Sequence, residues 1–175
     1  MRTRVALLAI GACLMVAGQA WAERASRSVS DVTTASDRRG GSQVFFRWDS
    51  GLPDGVAVRN ATLRFDRVAE RGGRTLTVRV YPVTAPWAGS GEVVYDRELW
   101  SHAEIDLREA GPLVIDVTTV VKEIVEGGLR VHGFVLAADG AEESGLTQTD
   151  VSRLGGLSSG TIDVVWRRVP PAPRR

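Results

Sequence analysis

Gly111-Pro-Leu-Val-Ile-Asp-Val-Thr-Thr-Val-Val-Lys-Glu-Ile-Val-Glu-Gly127 is the stretch that decides the fold. Leu113, Val114 and Ile115 form a short apolar strand that stops at Asp116. Beyond it the period changes: Val117, Val120, Val121, Ile124 and Val125 stand at i, i+3, i+4, i+7 and i+8, one stripe of a helix. Asp116 or Thr118 is placed to cap the first free N–H groups, and Gly127 to supply the left-handed residue that ends the helix. β-Branched residues are poor helix formers, so this helix is expected only because its valine stripe packs on a sheet. The stretch holds no nucleophile, ligand pair or phosphate-binding loop.

Working outward, Val131 to Ala138 is a nearly continuous apolar strand suited to the middle of a sheet. Upstream, Val44 to Asp49 alternates, with Val44, Phe46 and Trp48 on one face and Phe45 and Arg47 on the other. Leu52-Pro-Asp-Gly55 is a turn. Ala61 to Asp66 points Leu63 and Phe65 inward and Thr62, Arg64 and Asp66 outward. After the Arg71-Gly-Gly-Arg74 turn, Leu76, Val78 and Val80 share one face while Thr75, Thr77, Arg79 and Tyr81 share the other. Pro82 and Pro86 frame a rigid bend carrying Trp87, and a short strand follows at Val93–Tyr95. Asp96 to Ala110 reads as polar and irregular, with Trp100 and His102 inside it. Asp139 to Gly145 is a loop, Leu146 to Leu157 a weak strand with a Gly-Gly break, and Thr161 to Val169 the closing strand. The predicted fold is all-β: an antiparallel β-sandwich, jelly-roll-like, with one short α-helix, over residues 42–169.

The termini point to export. Arg2 and Arg4 precede an apolar run from Val5 to Ala17, and Ala20-Trp21-Ala22 fits the small-x-small rule, so residues 1–22 read as a signal peptide cleaved before Glu23. The run falls short of the roughly 20 residues of a membrane-spanning helix. The alternative, lipoprotein processing at Cys13, is opposed by the apolar Leu14, Met15 and Val16 that follow it. Residues 23–41 read as a flexible leader with one edge strand near Val29–Thr33, and residues 170–175 as a stiff Pro/Arg-rich tail. Cleavage removes the only cysteine, so the exported chain has no disulfide and relies on its core. Without Arg2 and Arg4, 20 of the 22 basic residues remain against 21 acidic ones, a net charge near −1. That balance argues against nucleic acid or an anionic membrane surface as partner.

Four blocks, in order, carry a family likeness. Phe45-Phe-Arg-Trp-Asp49 with Leu52-Pro-Asp-Gly55 is similar to "LLRFDLS-LP-G", and Ala61-Thr-Leu-Arg-Phe65 to "ATLRL". Val80-Tyr-Pro-Val-Thr84 with Trp87 is similar to "VYPVT--W", and Asp116 to Gly127 followed by Gly133-Phe-Val-Leu136 to "DVTDLVQAWVNG" and "GFLL". Together they resemble the DNRLRE domain (disaggregatase-related repeat), β-sandwich modules of exported proteins, some classed as carbohydrate-binding. Ile124 stands where that family usually has tryptophan, Tyr95 replaces a second tryptophan, and the family's closing "SxE" segment has no match in Gly145 to Leu157. The resemblance implies a sandwich and a sugar-binding role, and carries over no individual binding residue.

The residues themselves point to no catalytic or metal chemistry and no cofactor. His102 with Glu104 and Asp106 has no recognised ligand spacing, His132 reads as a packed or rim residue, and Asp139, Glu142 and Glu143 lack the alternate spacing of calcium loops. Ser158-Ser-Gly160 has no strand–turn–helix context for a nucleophile elbow. Trp48 and Trp166 alternate with inward residues and belong to the core. Trp87 and Trp100 are freer to be exposed, Trp87 having the alternative of plugging one end of the sandwich. Flat aromatics flanked by polar groups suit stacking on sugar rings. Trp87, Tyr81, Trp100, Arg79 and Arg64 are therefore the candidate ligand-binding residues, Arg64, Arg79 and Tyr81 belonging to an outward row with Thr77. The expected function is a secreted, non-catalytic module binding polysaccharide at the cell surface or outside the cell. The alternative is a structural or adhesive module contacting envelope or extracellular proteins.

Overall fold

Two long strands, β4 (Val56–Arg67) and β9 (Gly156–Arg168), pair antiparallel and form the spine of one sheet. A register shift between Val58 and Asn60 changes which positions of β4 face inward. Val56 and Val58 are buried before it, and Ala61, Leu63 and Phe65 after it. β1 (Glu23–Ser28) and β7 (Gly111–Asp116) flank the pair, giving the order β1-β9-β4-β7. The second sheet has the order β2-β3-β8-β5-β6, from β2 (Ser30–Ser36), β3 (Ser42–Arg47), β5 (Thr75–Val83), β6 (Ser101–Asp106) and β8 (Gly133–Asp139). With β2 set aside, 1-9-4-7 facing 3-8-5-6 is the arrangement of two interleaved Greek keys, a jelly roll. This computed structural model describes residues 22–36, 42–67, 74–89, 93–139, 146–154 and 156–170. The expected signal segment before Ala22, and the tail beyond Pro170, lie outside them.

The core fills the space between the sheets. Phe46 stacks on Phe134 with ring centroids 5.5 Å apart, and Trp48 tilts against the same ring at 6.1 Å. Leu63, Ile115 and Ile162 meet them from the other sheet, all fully buried. Trp48 and Trp166 are both core residues, as the alternation predicts. β8 lies mid-sheet between β3 and β5, which explains why its sequence is apolar on both faces. Its first residue, Gly133 (φ +146°), runs so close to β3 that a Cβ would stand 2.6 Å from the Phe46 carbonyl oxygen.

The helix forms as its valine stripe predicts, as α1 (Thr118–Val125). Val117, Val120 and Val121 are buried, while Ile124 and Val125 are only partly so. β7 pairs with Thr62 to Arg67 of β4, so the earlier half of that strand has no β7 partner. α1 takes up its backbone groups instead. Thr118 Oγ1 accepts from the Ala61 N–H at 2.9 Å, and the Val117 N–H donates to the Ala61 carbonyl at 2.9 Å. At the helix start, Asp116 Oδ1 accepts from the Thr118 N–H at 2.9 Å. The left-handed residue at the far end is Gly128 (φ +70°), not Gly127, and the Leu129 N–H closes back onto the Glu123 carbonyl at 3.1 Å.

Three segments differ from the sequence reading. The expected leader contains β1, paired with β9 from Glu23↔Trp166 to Ser28↔Thr161, and β2, paired with β3. Val29 between them is 5 % exposed, and its N–H donates to Gly160 at 2.9 Å. Edge strands drawing on backbone bonds need few apolar residues, so composition alone reads them as unstructured. Within the segment read as irregular, Ser101–Asp106 is β6, the strand beside β5. Within the expected weak strand, Gln148–Arg153 is a second, six-residue helix, α2. Thr147 and Asp150 cap it reciprocally: Asp150 Oδ2 accepts from the Thr147 N–H at 2.9 Å, and Thr147 Oγ1 from the Asp150 N–H at 3.1 Å. Val93–Tyr95 keeps only a single bridge, Val83↔Tyr95. Among the described residues no helix is long and apolar enough to cross a membrane.

Candidate functional site

The outer face of the five-stranded sheet is divided in two. Phe45 on β3, Val135 on β8 and Val83 on β5 point away from the main core, and apolar residues there need cover. The connection from β5 to β6 folds back over them, bringing in Trp87 and Val93. Trp87 tilts against Phe45 with centroids 4.8 Å apart and is 8 % exposed. Trp87 is therefore a cover for this second apolar cluster and offers no ring face to a ligand, which corrects the expectation that placed it among the binding residues. The connection is pinned by two backbone bonds, Thr84 N–H to Val94 and Asp96 N–H to Pro82, each 3.0 Å.

The other half of the face is polar and aromatic. Arg79 on β5 lies opposite His102 on β6, and Trp100 enters just before that strand. The Arg79 guanidinium carbon sits 4.1 Å from the centroid of the Trp100 ring, and the His102 ring meets the indole edge-on at 5.3 Å. Beside them Tyr81 and Tyr95 pack at 4.8 Å, with the Arg97 guanidinium 5.5 Å from the centre of the Tyr95 ring. Trp100, Tyr81 and Arg79 are half-buried and His102 is exposed. The result is a shelf of two arginine–aromatic pairs, one where β5 meets the start of β6 and one in the connection between those strands. At its end the loop after Tyr95 turns its other side to an open groove of about 550 Å3, lined by Asp96, Glu98, Leu99, Glu123, Leu129 and Arg130.

Of the sequence candidates, Arg79, Tyr81 and Trp100 are brought together. Arg64 is not. It lies on β4, on the outer face of the four-stranded sheet, between Val114 and Thr161. Arg64 and Arg79 both face solvent by alternation, but their strands belong to opposite sheets, which corrects the single outward row. His102, Tyr95 and Arg97 are the members that sequence reading did not select. The signal for His102 is the alternation of Trp100, His102 and Glu104 against Ser101, Ala103 and Ile105, of which Ser101 and Ile105 are buried; Tyr95 and Arg97 lie in the connection before β6, where no periodicity marks them. Glu104 and Asp106 share the outer face with His102, and Asp106 is held by Arg108 at 2.6 Å.

No protein-family model matches the chain, and no curated protein matches it.

Proposed function

We propose that this chain is a secreted, non-catalytic module that binds polysaccharide on the outer face of the five-stranded sheet. The observation that carries the reading is the Arg79–Trp100–His102 group: an indole packed against a guanidinium and, edge-on, an imidazole on the outer face of the five-stranded sheet. A ring held in this way loses little freedom on binding, so stacking on a pyranose face is favoured while arginine and histidine N–H groups reach hydroxyls. Glu104, on the same face of β6 as His102, brings an acceptor to the same region, so the surface carries both signs and suits the mixed donors and acceptors of a sugar. Export through the expected signal peptide is consistent with a ligand outside the cytoplasm.

A glycan array probed with the exported form tests this reading. Binding to at least one polysaccharide class, abolished by Arg79→Ala, is the expected result. A blank array together with retention of envelope proteins would replace it with the structural or adhesive reading.

A further inference from the structure

β1 has one bonded edge and one open edge. It ends the four-stranded sheet in the order β1-β9-β4-β7, and no strand among the described residues pairs with its other side. The bond from the Val29 N–H to the Gly160 carbonyl fixes which groups are free. Val29 and Gly160 continue the β1–β9 register, and bonded pairs recur at every second residue, so Arg27, Ala25 and Glu23 turn their backbone groups to β9. Arg24, Ser26 and Ser28 therefore aim theirs outward. An open edge of this kind is a template for another strand.

The side chains restrict what can join. Glu23, Ala25 and Arg27 lie opposite Trp166, Val164 and Ile162, all buried, so they share the inward face of the sheet. Glu23 and Arg27 are nonetheless exposed, which places β1 beyond the rim of the core. Glu23 is 3.9 Å from Arg168, and Arg27 forms no ion pair among the described residues, its guanidinium lying over Gly51. Inward-pointing charges on an edge turn away a strand that cannot answer them. A second copy answers them in one register. Two-fold antiparallel pairing sets outward groups against outward groups, so its centre falls on a residue. Centring on Arg24 or Arg27 sets an arginine against its own copy, and centring on Ser26 sets Arg27 against Ala25. Centring on Ala25 sets Glu23 against Arg27 on both sides of the axis, and Arg24 against Ser26.

We propose that β1 is a homodimerisation edge: it pairs antiparallel with β1 of a second copy about a two-fold axis at Ala25, joining the two four-stranded sheets into one continuous sheet. Each Arg24–Ser26 pair then exchanges two backbone bonds. Each Glu23 lies between Arg168 of its own chain and the partner's Arg27. The charges that turn away a foreign strand accept this one, which gives the edge its specificity. β5 and β6, which carry the shelf, belong to the other sheet, so the pairing does not depend on the polysaccharide reading.

Sedimentation velocity of the exported form over a range of concentrations tests this, and a dimer that dissociates on dilution is the expected result. Ser26→Pro removes an outward N–H that β9 does not use, so it should weaken the dimer by roughly tenfold or more with the unfolding midpoint unchanged. Arg27→Glu should weaken it likewise, and adding Glu23→Lys to Arg27→Glu should restore it. The two copies of residue 25 should stand about 4.5 Å apart between Cα atoms, within the reach of a disulfide. Oxidised Ala25→Cys should therefore form a covalent dimer, and Arg24→Cys should not. A monomer at every concentration overturns the proposal, as does a dimer that withstands both Ser26→Pro and Arg27→Glu. Equal linking from Ala25→Cys and Arg24→Cys overturns the register. If Ser26→Pro fails to fold, the charge variants decide: loss in Arg27→Glu without recovery in the double variant contradicts the pairing.

Discussion

The carboxylate of Glu126 accepts a hydrogen bond from the backbone N–H of Val58 at 2.6 Å, across 68 residues of chain. Val58 lies at the register shift of β4, where β7 no longer pairs with that strand. The residue that caps the C-terminus of α1 thus completes an edge that would otherwise present open backbone groups. Glu126→Ala should leave this N–H unsatisfied and cost about 1–3 kcal/mol, read as a shift of the chemical-denaturation midpoint at unchanged slope. Glu126→Gln keeps an acceptor and should cost less.

Burial along α1 ranks its side chains. Val121 is fully buried, Ile124 partly, and Lys122 faces solvent. Val121→Ala should cost about 2 kcal/mol, Lys122→Ala less than about 0.5 kcal/mol, and Ile124→Ala should fall below the range of a fully buried isoleucine. Equal midpoints for the Val121 and Lys122 variants would mean that the stripe is not what holds the helix.

Trp87 and Trp100 sit in one connection and should behave oppositely. Trp87, packed on Phe45, should cost about 3–5 kcal/mol when truncated to alanine. Trp100→Ala should cost less than half as much and show its effect in binding. Thermal unfolding of the two variants side by side provides the comparison.

Asp150 supplies a pH dependence. Burial pushes its carboxyl group upward, but the Thr147 N–H, Arg74 and the Thr147 hydroxyl outweigh it, and the pKa lies below the ordinary value. Arg74 holds it at 2.8 Å. A carboxylate with a depressed folded-state pKa contributes stability that is present above the unfolded-state value of about 3.9 and lost as pH falls through the folded one. The stability gap between wild type and Asp150→Asn should therefore be constant above about pH 5 and shrink below about pH 4.

The sandwich and the helix were legible because periodicity reports burial. Leu76, Val78 and Val80 alternate, and Val117, Val120 and Val121 fall on one helical stripe, because each faces the same core. Edges were not legible in the same way. β1 carries Glu23, Arg24 and Arg27 and β6 carries His102 and Glu104, since a strand exposed on one side is held mainly by its backbone. The site was half legible for a related reason. Alternation assigns Arg64 and Arg79 to outward faces but says nothing about which sheet each strand joins. That depends on pairing between residues far apart in sequence.

Export has its own test. If residues 1–22 are a cleaved signal peptide, the exported chain begins at Glu23, the first residue of β1, and carries no lipid. Intact mass of the exported form should match residues 23–175. A mass corresponding to a lipidated chain starting at Cys13 would contradict it.

Affinity electrophoresis through gels containing neutral and uronic-acid polysaccharides tests the central claim most directly, using wild type, Trp100→Ala and Arg64→Ala with circular dichroism as the folding control. Wild type should be retarded by at least one polysaccharide, Trp100→Ala should run free, and Arg64→Ala, on the opposite sheet, should be retarded like wild type. Retardation that persists in Trp100→Ala, or that is lost in Arg64→Ala, would contradict a binding site on the outer face of the five-stranded sheet.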